Sequence, residues 1–571
     1  MTTDLITEHL DLWTSAVTYN RGEPELTGIA KLRELILELA VRGKLVPQDP
    51  EDEPASELLE RIEEEKTRLY KEGKIKKPNV LPEIEEEEKE FELPPGWQWA
   101  RLGRLFNSVR SGGTPSKSNP SFWGGEISWA SVKDLGAFTE ISDSKDHITQ
   151  EGLKAGSVLA DEGDVLICTR MGLGKVAVCK NPIAFNQDLK AIKISSQISE
   201  RFFLLAFSAL EITGTGTTVS GITQNQLLNY VVAIPPKAEQ QRIVEKVDEL
   251  MALCDHLEQR TSDQLSAHET LVDTLLETLT RSQDATELAD NWARLAAHFD
   301  TLFTTEKSID RLEQTILQLA VMGRLVPQDP NDEPAAVLLK RIEGEKLQQY
   351  KEGFIKKPKS LPEVTKDEKP FDLPAGWCWA RIGNVSHLEN GDRGKNYPNK
   401  SALVSEGIPF VNAGQLDGDL ISSDGLQYIS RERFDLLRSG KFFDGDILFC
   451  LRGSLGKCAL VKDFGVGAIA SSLVIMRPHA GLEKTYSLKY LKSPVAELMI
   501  RRHDNGTAQP NLSGSDFGFF LLPLPPEKEQ KRISEKVDEL LTLCDRLKTR
   551  LNGLGEVQAK LAESLASQAV A

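Results

Sequence analysis

Two glycine-rich turns ending in lysine, "GDVLICTRMGLGK" (Gly163–Lys175) and "GDILFCLRGSLGK" (Gly445–Lys457), are the first places to look for chemistry. A phosphate-cradling loop needs Gly-x-x-x-x-Gly-Lys followed by Ser or Thr at the start of a helix, since the hydroxyl reaches the metal and the helix end the phosphate. Here Val176 and Cys458 follow the lysines and both flanks are strand-like, so the pattern predicts a β-hairpin closed by a glycine turn. "NPIAF" (Asn181–Phe185) lacks the second proline of the Asn-Pro-Pro-aromatic motif of amino-methyltransferases, and no glycine-rich cofactor loop follows a strand upstream. Glu64-Glu65-Lys66 has the spacing of a nuclease carboxylate–lysine pair but lies in a charge-rich helical stretch, where a solvated helix face is expected. The eight histidines show no metal-ligand spacing and the seven cysteines form no Cys-x-x-Cys pair. No complete catalytic set is legible, and neither a catalytic nor a metal site is expected in this chain.

Polar loops offer binding chemistry instead. Val109–Gly125 carries Arg110, Lys117, Ser118 and Asn119, and Leu388–Lys400 carries Asn390, Arg393, Lys395 and Asn396 in the corresponding place. Farther on, Gly216–Gln226 supplies Thr217, Thr218 and Gln224, and Gly506–Asp516 supplies Gln509 and Asn511. Arg170, Lys175, Arg452 and Lys457 sit in or beside the two glycine turns, within reach of phosphates. Arg, Lys, Asn and Gln are the side chains that hydrogen-bond base edges in a groove. Ordinary solvent-exposed loops share this composition. It is the paired placement that marks these residues as a candidate DNA-binding set.

The elements that must position them are written twice. "ILELAVRGKLVPQDP" (Ile36–Pro50) matches "ILQLAVMGRLVPQDP" (Ile316–Pro330) at 12 of 15 positions. The match continues through "LPPGWQWARLG" (Leu93–Gly103) and "LPAGWCWARIG" (Leu373–Gly383), breaks into islands, and resumes at "EQQRIVEKVDELMALCD" (Glu239–Asp255) and "EQKRISEKVDELLTLCD" (Glu529–Asp545). Such a chain is a duplication, with a repeated frame around two dissimilar inserts. Ile243, Val247, Leu250, Cys254 and Leu257 alternate spacings of four and three, as do Ile533, Val537, Leu540, Cys544 and Leu547, which predicts helices with an apolar seam facing a partner helix. In the first copy the seam turns polar at Thr261, Gln264 and His268 and resumes at Val272. A helix ending at Gly43, and a second one from Pro54 to Gly73 that buries Leu58, Leu59 and Ile62, are expected from their cap residues. The acidic stretch before Trp97 reads as an exposed linker. Five segments follow: a helical frame with acidic linker (1–95), a mixed α/β insert (96–236), a central helical frame (237–375), a second α/β insert (376–526) and a final long helix (527–571). The class is α+β multidomain, with two α/β domains separated by long, antiparallel, coiled-coil-like helices in a pseudo-two-fold repeat.

Charge follows this division. The net charge is −17, yet 97–235 holds 13 Lys and Arg against 12 Asp and Glu, and 377–525 holds 17 against 15. The acid excess therefore lies on the helical frame. The acidic N-terminal stretch is unlike a signal peptide, no apolar run could span a membrane, and the cysteine pattern suits a reducing compartment, so a cytoplasmic protein without membrane partners is expected.

As a set, the "ELAVRGKLVPQDP…DEPA" block, "LPxGWxWxRxG", "GDxLxCxR…LGK" and "PPxxEQxRIxEKVDEL" resemble the specificity subunit of Type I restriction–modification enzymes, over essentially the whole chain. The resemblance implies two target recognition domains, each reading one half of a split double-stranded DNA site. It implies frame helices that set the spacing and dock two methyltransferase subunits, with restriction subunits joining that core. It also implies no active site here: S-adenosylmethionine, ATP and Mg would be held by the partners. A coiled-coil scaffold for two non-DNA modules, or a fused methyltransferase or nuclease, are the alternatives.

Overall fold

The structure, a computed structural model, describes residues 7–20, 23–136, 139–214, 221–282, 285–352, 361–504 and 511–570. It divides into two compact units, Met1–Gln264 with Leu554–Ala571, and Leu265–Gly553. Neither unit coincides with a run of the five sequence segments. Each is assembled from its own frame helices, its own insert, the start of the long helix that follows the insert, and the far end of the other long helix.

In the first unit, helix α1 (Thr27–Val41) turns Ile29, Leu32, Leu35, Ile36 and Leu39 into one buried stripe. It stops at Gly43, whose φ of +69° lets Lys44 N–H close back on the Leu39 carbonyl at 2.9 Å. Helix α2 (Ala55–Lys71) buries Leu58, Leu59 and Ile62 and is followed by Gly73 at φ +67°. Strand β1 (Gln98–Arg101) opens the insert, whose main sheet contains β2 (Phe106–Ser111), β3 (Thr139–Ile141), β4 (Val165–Cys168), β5 (Val176–Cys179) and β6 (Leu189–Ile194) in the order β2-β6-β4-β5-β3. A second sheet is built from Trp123–Ala130, Asp146–Ile148, Val158–Ala160 and Ile183–Phe185. The glycine turn is the expected hairpin: β4 and β5 pair antiparallel, and Val165, Leu166, Ile167 and Cys168 are all buried. Of "NPIAF", Ile183–Phe185 are a buried strand of the second sheet, and Asn181 and Pro182 are exposed before it. Strand β7 (Val231–Ile234) returns to pair with β1 and leads into helix α3 (Lys237–Arg281), 45 residues or about 67 Å long.

The second unit repeats the plan. Helix α4 (Ala285–Ala297) precedes α5 (Glu306–Val321) and α6 (Ala335–Lys351), the counterparts of α1 and α2. Strand β8 (Cys378–Arg381) opens the insert; β9 (Ser386–Asn390), β10 (Ile447–Cys450), β11 (Cys458–Leu460) and β12 (Leu473–Pro478) form a sheet ordered β9-β12-β10-β11. Strand β13 (Leu521–Leu524) closes the insert against β8 and leads into α7 (Glu527–Val570).

The repeated motifs meet at one joint in each unit. A Cβ on Gly43 would lie 2.5 Å from Pro94 Cγ and 2.8 Å from Trp97 Cζ2; on Gly323 the distances to Pro374 and Trp377 are 2.6 and 2.8 Å. The helix-ending glycine is thus a seat for the tryptophan that opens the insert. Glu239, buried at the start of α3, accepts from Trp97 Nε1 at 3.0 Å and from Gln48 Nε2 at 3.2 Å. Burial raises its carboxyl above the ordinary range, and the hydrogen bonds from Gln48 and Trp97, with the charge of nearby Arg242, oppose that rise. Gln240 accepts from Ser199 N–H at 2.9 Å, and Arg242 binds Asp52 at 2.5 Å. In the second unit Gln328 donates to Glu529 at 3.1 Å, Gln530 accepts from Glu483 N–H at 2.7 Å and Arg532 binds Asp332 at 2.7 Å. Three repeated strings far apart in sequence are one device, fixing the frame helix, the insert and the long helix to one another.

One expectation is sharpened and another is corrected in part. The acidic linker exposes its glutamates, but its backbone is held: buried Arg101 donates to the carbonyls of Pro82 and Glu83 and binds Glu88, and Arg381 does the same with Pro362, Glu363 and Glu368. In Glu64-Glu65-Lys66 only Glu64 is exposed as a solvated face requires; Glu65 is half-buried and Lys66 buried. Lys66 is buried and donates to Gly103 O at 3.1 Å, with its amine lowered by burial. Burial pushes Glu65 upward, but hydrogen bonds from Ser195, Asn107 and Ser196 outweigh it and leave the carboxyl below the ordinary value. These residues tie α2 to the insert.

The seam residues also have a definite destination. Ile243, Val247, Leu250, Cys254 and Leu257 are buried in the first unit's core with the α1 stripe. Ile533, Val537 and Cys544 are buried in the second unit's core with Ile309, Leu312 and Ile316 of α5, and Leu540 and Leu547 pack half-buried against it. The seam faces helices of its own unit and is not a free surface for another subunit. Its polar interruption has a structural meaning: Gln264 is the last α3 residue in the first unit, and Val272, Leu276 and Leu279 enter the core of the second.

Candidate nucleic-acid interface

Three of the polar segments converge at one end of the main sheet in the first unit. The hairpin turn leaves β4 at Thr169, whose N–H reaches Asp188 O at 2.8 Å and whose carbonyl accepts from Ile222 N–H at 2.9 Å. Arg170 bridges to Gly221 and lies 3.7 Å from the Asp188 carboxylate with its side chain exposed. Gly112 N–H bonds Leu189 O, Lys190 reaches Ser111 Oγ at 2.7 Å, and Thr114 donates to Gln187. The loop after β2, the glycine turn, the Asn186–Asp188 turn and the start of the return segment therefore share one rim.

The second unit builds the same rim with other side chains. Leu451 N–H bonds Ser472 O at 2.8 Å, Leu512 N–H bonds Leu451 O at 2.9 Å, and Arg452 bridges to Asn511. Arg452 Nη2 and Arg393 Nη2 reach Ser471 O at 2.6 and 3.5 Å. Asn390 ends β9 beside Gly514, where an added Cβ would lie 2.3 Å from its amide oxygen.

Several sequence candidates are already engaged within the protein. Arg110 pairs with the fully buried Asp164 and donates to Leu159 O at 2.8 Å, so it neutralises a core carboxylate and is not presented to a ligand. Asp446, the counterpart of Asp164, takes Arg477 from the neighbouring strand at 2.7 and 2.8 Å. The Gly-Asp of each island thus needs a cation, and each copy draws it from a different strand, which no pairing of the two sequences reveals. Lys175 donates to Val132 O at 3.4 Å, Lys457 is ion-paired with Asp417, and Asn396 donates to Leu436 O at 3.0 Å. Asn119 caps the short turn Pro120–Phe122, accepting from Ser121 N–H at 3.2 Å.

Exposed and outward are Lys117 and Ser118 in the first insert, Gln224 at the head of the helix Gln224–Asn229, and Arg393, Lys395, Asn390 and Asn511 in the second. Thr217, Thr218 and Gln509 lie outside the described residues. Gln187 and Asp188 were not among the candidates. The available signal was their place directly after a buried strand, in an Asn-x-Asp turn between two apolar runs.

Residues 94–267 and 374–554 match the family model described as the Type I restriction modification DNA specificity domain. The chain is 38% identical over 600 residues to the Type I restriction enzyme EcoAI specificity subunit of Escherichia coli, covering 99% of each. It is 39% identical over 611 residues to the EcoEI specificity subunit of Escherichia coli, again covering 99% of each. A solved structure, the HsdS subunit from Thermoanaerobacter tengcongensis, aligns over 84% of this chain and 98% of that one at 20% identity, with a TM-score of 0.37. The chain carries two DNA specificity domains. It belongs to the family of Type I restriction–modification specificity subunits. Among the described residues, no helix is long and apolar enough to cross a membrane.

Proposed function

We propose that this chain is the DNA-reading subunit of a Type I restriction–modification complex, in which each unit reads one half of a bipartite, asymmetric site. The observation that carries the reading is the pair of rims: the same three segments converge in both units on near-identical joints, while the side chains at the rims differ. A shared frame with divergent loops is what a split target with unlike halves requires. In this reading two methyltransferase subunits dock on the acidic helical frame and restriction subunits join them in the cytoplasm. S-adenosylmethionine, ATP and Mg reside on those partners, and the chain itself performs no catalysis.

The test is to replace 97–235 with an unrelated recognition insert in the chain co-expressed with its methyltransferase, and to map methylated bases across the genome. One half of the methylated motif should change and the other persist. An unchanged motif overturns the reading.

A further inference from the structure

We infer that Met171 is a base-contacting, specificity-determining residue of the first insert. This rests on the DNA-reading function proposed above and assigns it a particular side chain. Met171 sits at the tip of the β4–β5 turn with φ +62°, one of two non-glycine residues with positive φ among those described. Its counterpart in the second copy is Gly453, at φ +81°. A side chain in the left-handed region is a conformational cost, and for an unbranched apolar residue nothing local offsets it. Burial does not offset it either, because Met171 is 70% exposed.

What surrounds it is firmly held. Arg170 on one side bridges to Gly221 and faces Asp188. On the other side, an added Cβ on Gly172 would lie 2.6 Å from Val132, and Leu173 packs against the core. The turn therefore fixes its flanks and projects one flexible thioether beside an exposed guanidinium, on the rim where three candidate segments meet. Met171 has no strong hydrogen-bonding group, so its contacts are with apolar parts of DNA: a thymine methyl in the major groove, or the face of a base step into which apolar side chains wedge. Arg170 supplies the adjacent phosphate or base-edge contact. The second insert, with glycine at this position, lacks that contact.

The experiment uses the full chain with its methyltransferase partner and reads the methylated motif genome-wide for Met171→Gly, Met171→Leu and the 97–235 replacement. Met171→Gly removes the strain and should fold at least as well. It is expected to relax one position in the first half-site by roughly ten-fold or more, the scale of one mismatched base pair, and to leave the second half intact. Met171→Leu, which keeps the apolar bulk, should retain the motif. If Met171→Gly leaves motif and extent of methylation unchanged, or lowers methylation evenly at all sites, Met171 does not read bases. If the 97–235 replacement also leaves the motif unchanged, the DNA-reading function itself fails.

Discussion

Lys44 Nζ donates to the main-chain carbonyl of Val570 at 2.5 Å, joining the residue after the first helix-ending glycine to the far end of α7. Arg324, its counterpart, donates to the carbonyls of Thr280 and Ser282 at 2.9 and 2.8 Å, at the far end of α3. In both units a cation meets the carbonyls that a helix end leaves unpaired, where the helix dipole also favours positive charge. The repeated Leu-Ala-Val-x-Gly-Lys/Arg string therefore does two jobs. Its glycine seats the insert's tryptophan and its cation receives the long helix that begins after the other insert.

Removing these cations should loosen the incoming helix. Arg324→Met, losing two charge-assisted bonds at a half-buried site, is expected to destabilise the second unit by about 1–3 kcal/mol. Lys44→Met, at an exposed site, should cost only about 0.3–1 kcal/mol. Denaturant unfolding of the single variants checks the order; a larger effect at Lys44 would contradict it.

The seat itself is sterically demanding. Gly43→Ala combines positive φ with contacts of 2.5 and 2.8 Å to Pro94 and Trp97, whereas Gly73→Ala has the same φ and nothing within 4 Å. Gly73→Ala should lose about 1 kcal/mol, the backbone cost alone. Gly43→Ala should lose several-fold more, and near-UV circular dichroism should report the displaced tryptophan.

Proton linkage at the joint has a defined sign. Glu239 is raised above its unfolded value by burial, so the folded state holds its proton more tightly. The cost of the buried charge is present above the folded pKa and disappears as pH falls toward the unfolded value of about 4.3. Gln48→Leu removes one donor and raises Glu239 further. It should destabilise by about 1–3 kcal/mol at pH 7, and the deficit should shrink near pH 4.5, leaving the part due to the lost bond to Gly43 O at 2.6 Å. Chemical unfolding at the two pH values measures it; a pH-independent deficit would assign the whole effect to that carbonyl.

Binding to DNA should depend on partners. Both inserts are close to neutral, and Arg110, Lys175 and Lys457, which would supply phosphate contacts, are engaged internally. The isolated chain should bind duplex weakly and with a shallow salt slope, and affinity and slope should both rise when the methyltransferase subunit is added. Tight site-specific binding by the pure chain in a salt titration would contradict this.

Local order was legible because it depends on neighbours in sequence. Heptad-like spacing from Ile243 to Leu257, the glycine caps at 43 and 73, and the hairpin over Val165–Cys179 follow from backbone preference and apolar periodicity, and each is present. Duplication made the two-part plan visible without any structure. Tertiary structure alone decided what the repeated strings touch. Gly43 against Trp97, Gln48 on Glu239 and Lys66 under Gly103 are contacts across tens to nearly two hundred residues, so no local pattern encodes them. It also sorted the cations, because Arg110 and Arg170 look alike in the chain, and only the position of the buried Asp164 leaves one spent in the core and the other at the rim. Charge and hydrogen-bonding capacity belong to a residue type. Whether they remain available is settled by what the fold places within about 3 Å, the reach of a hydrogen bond.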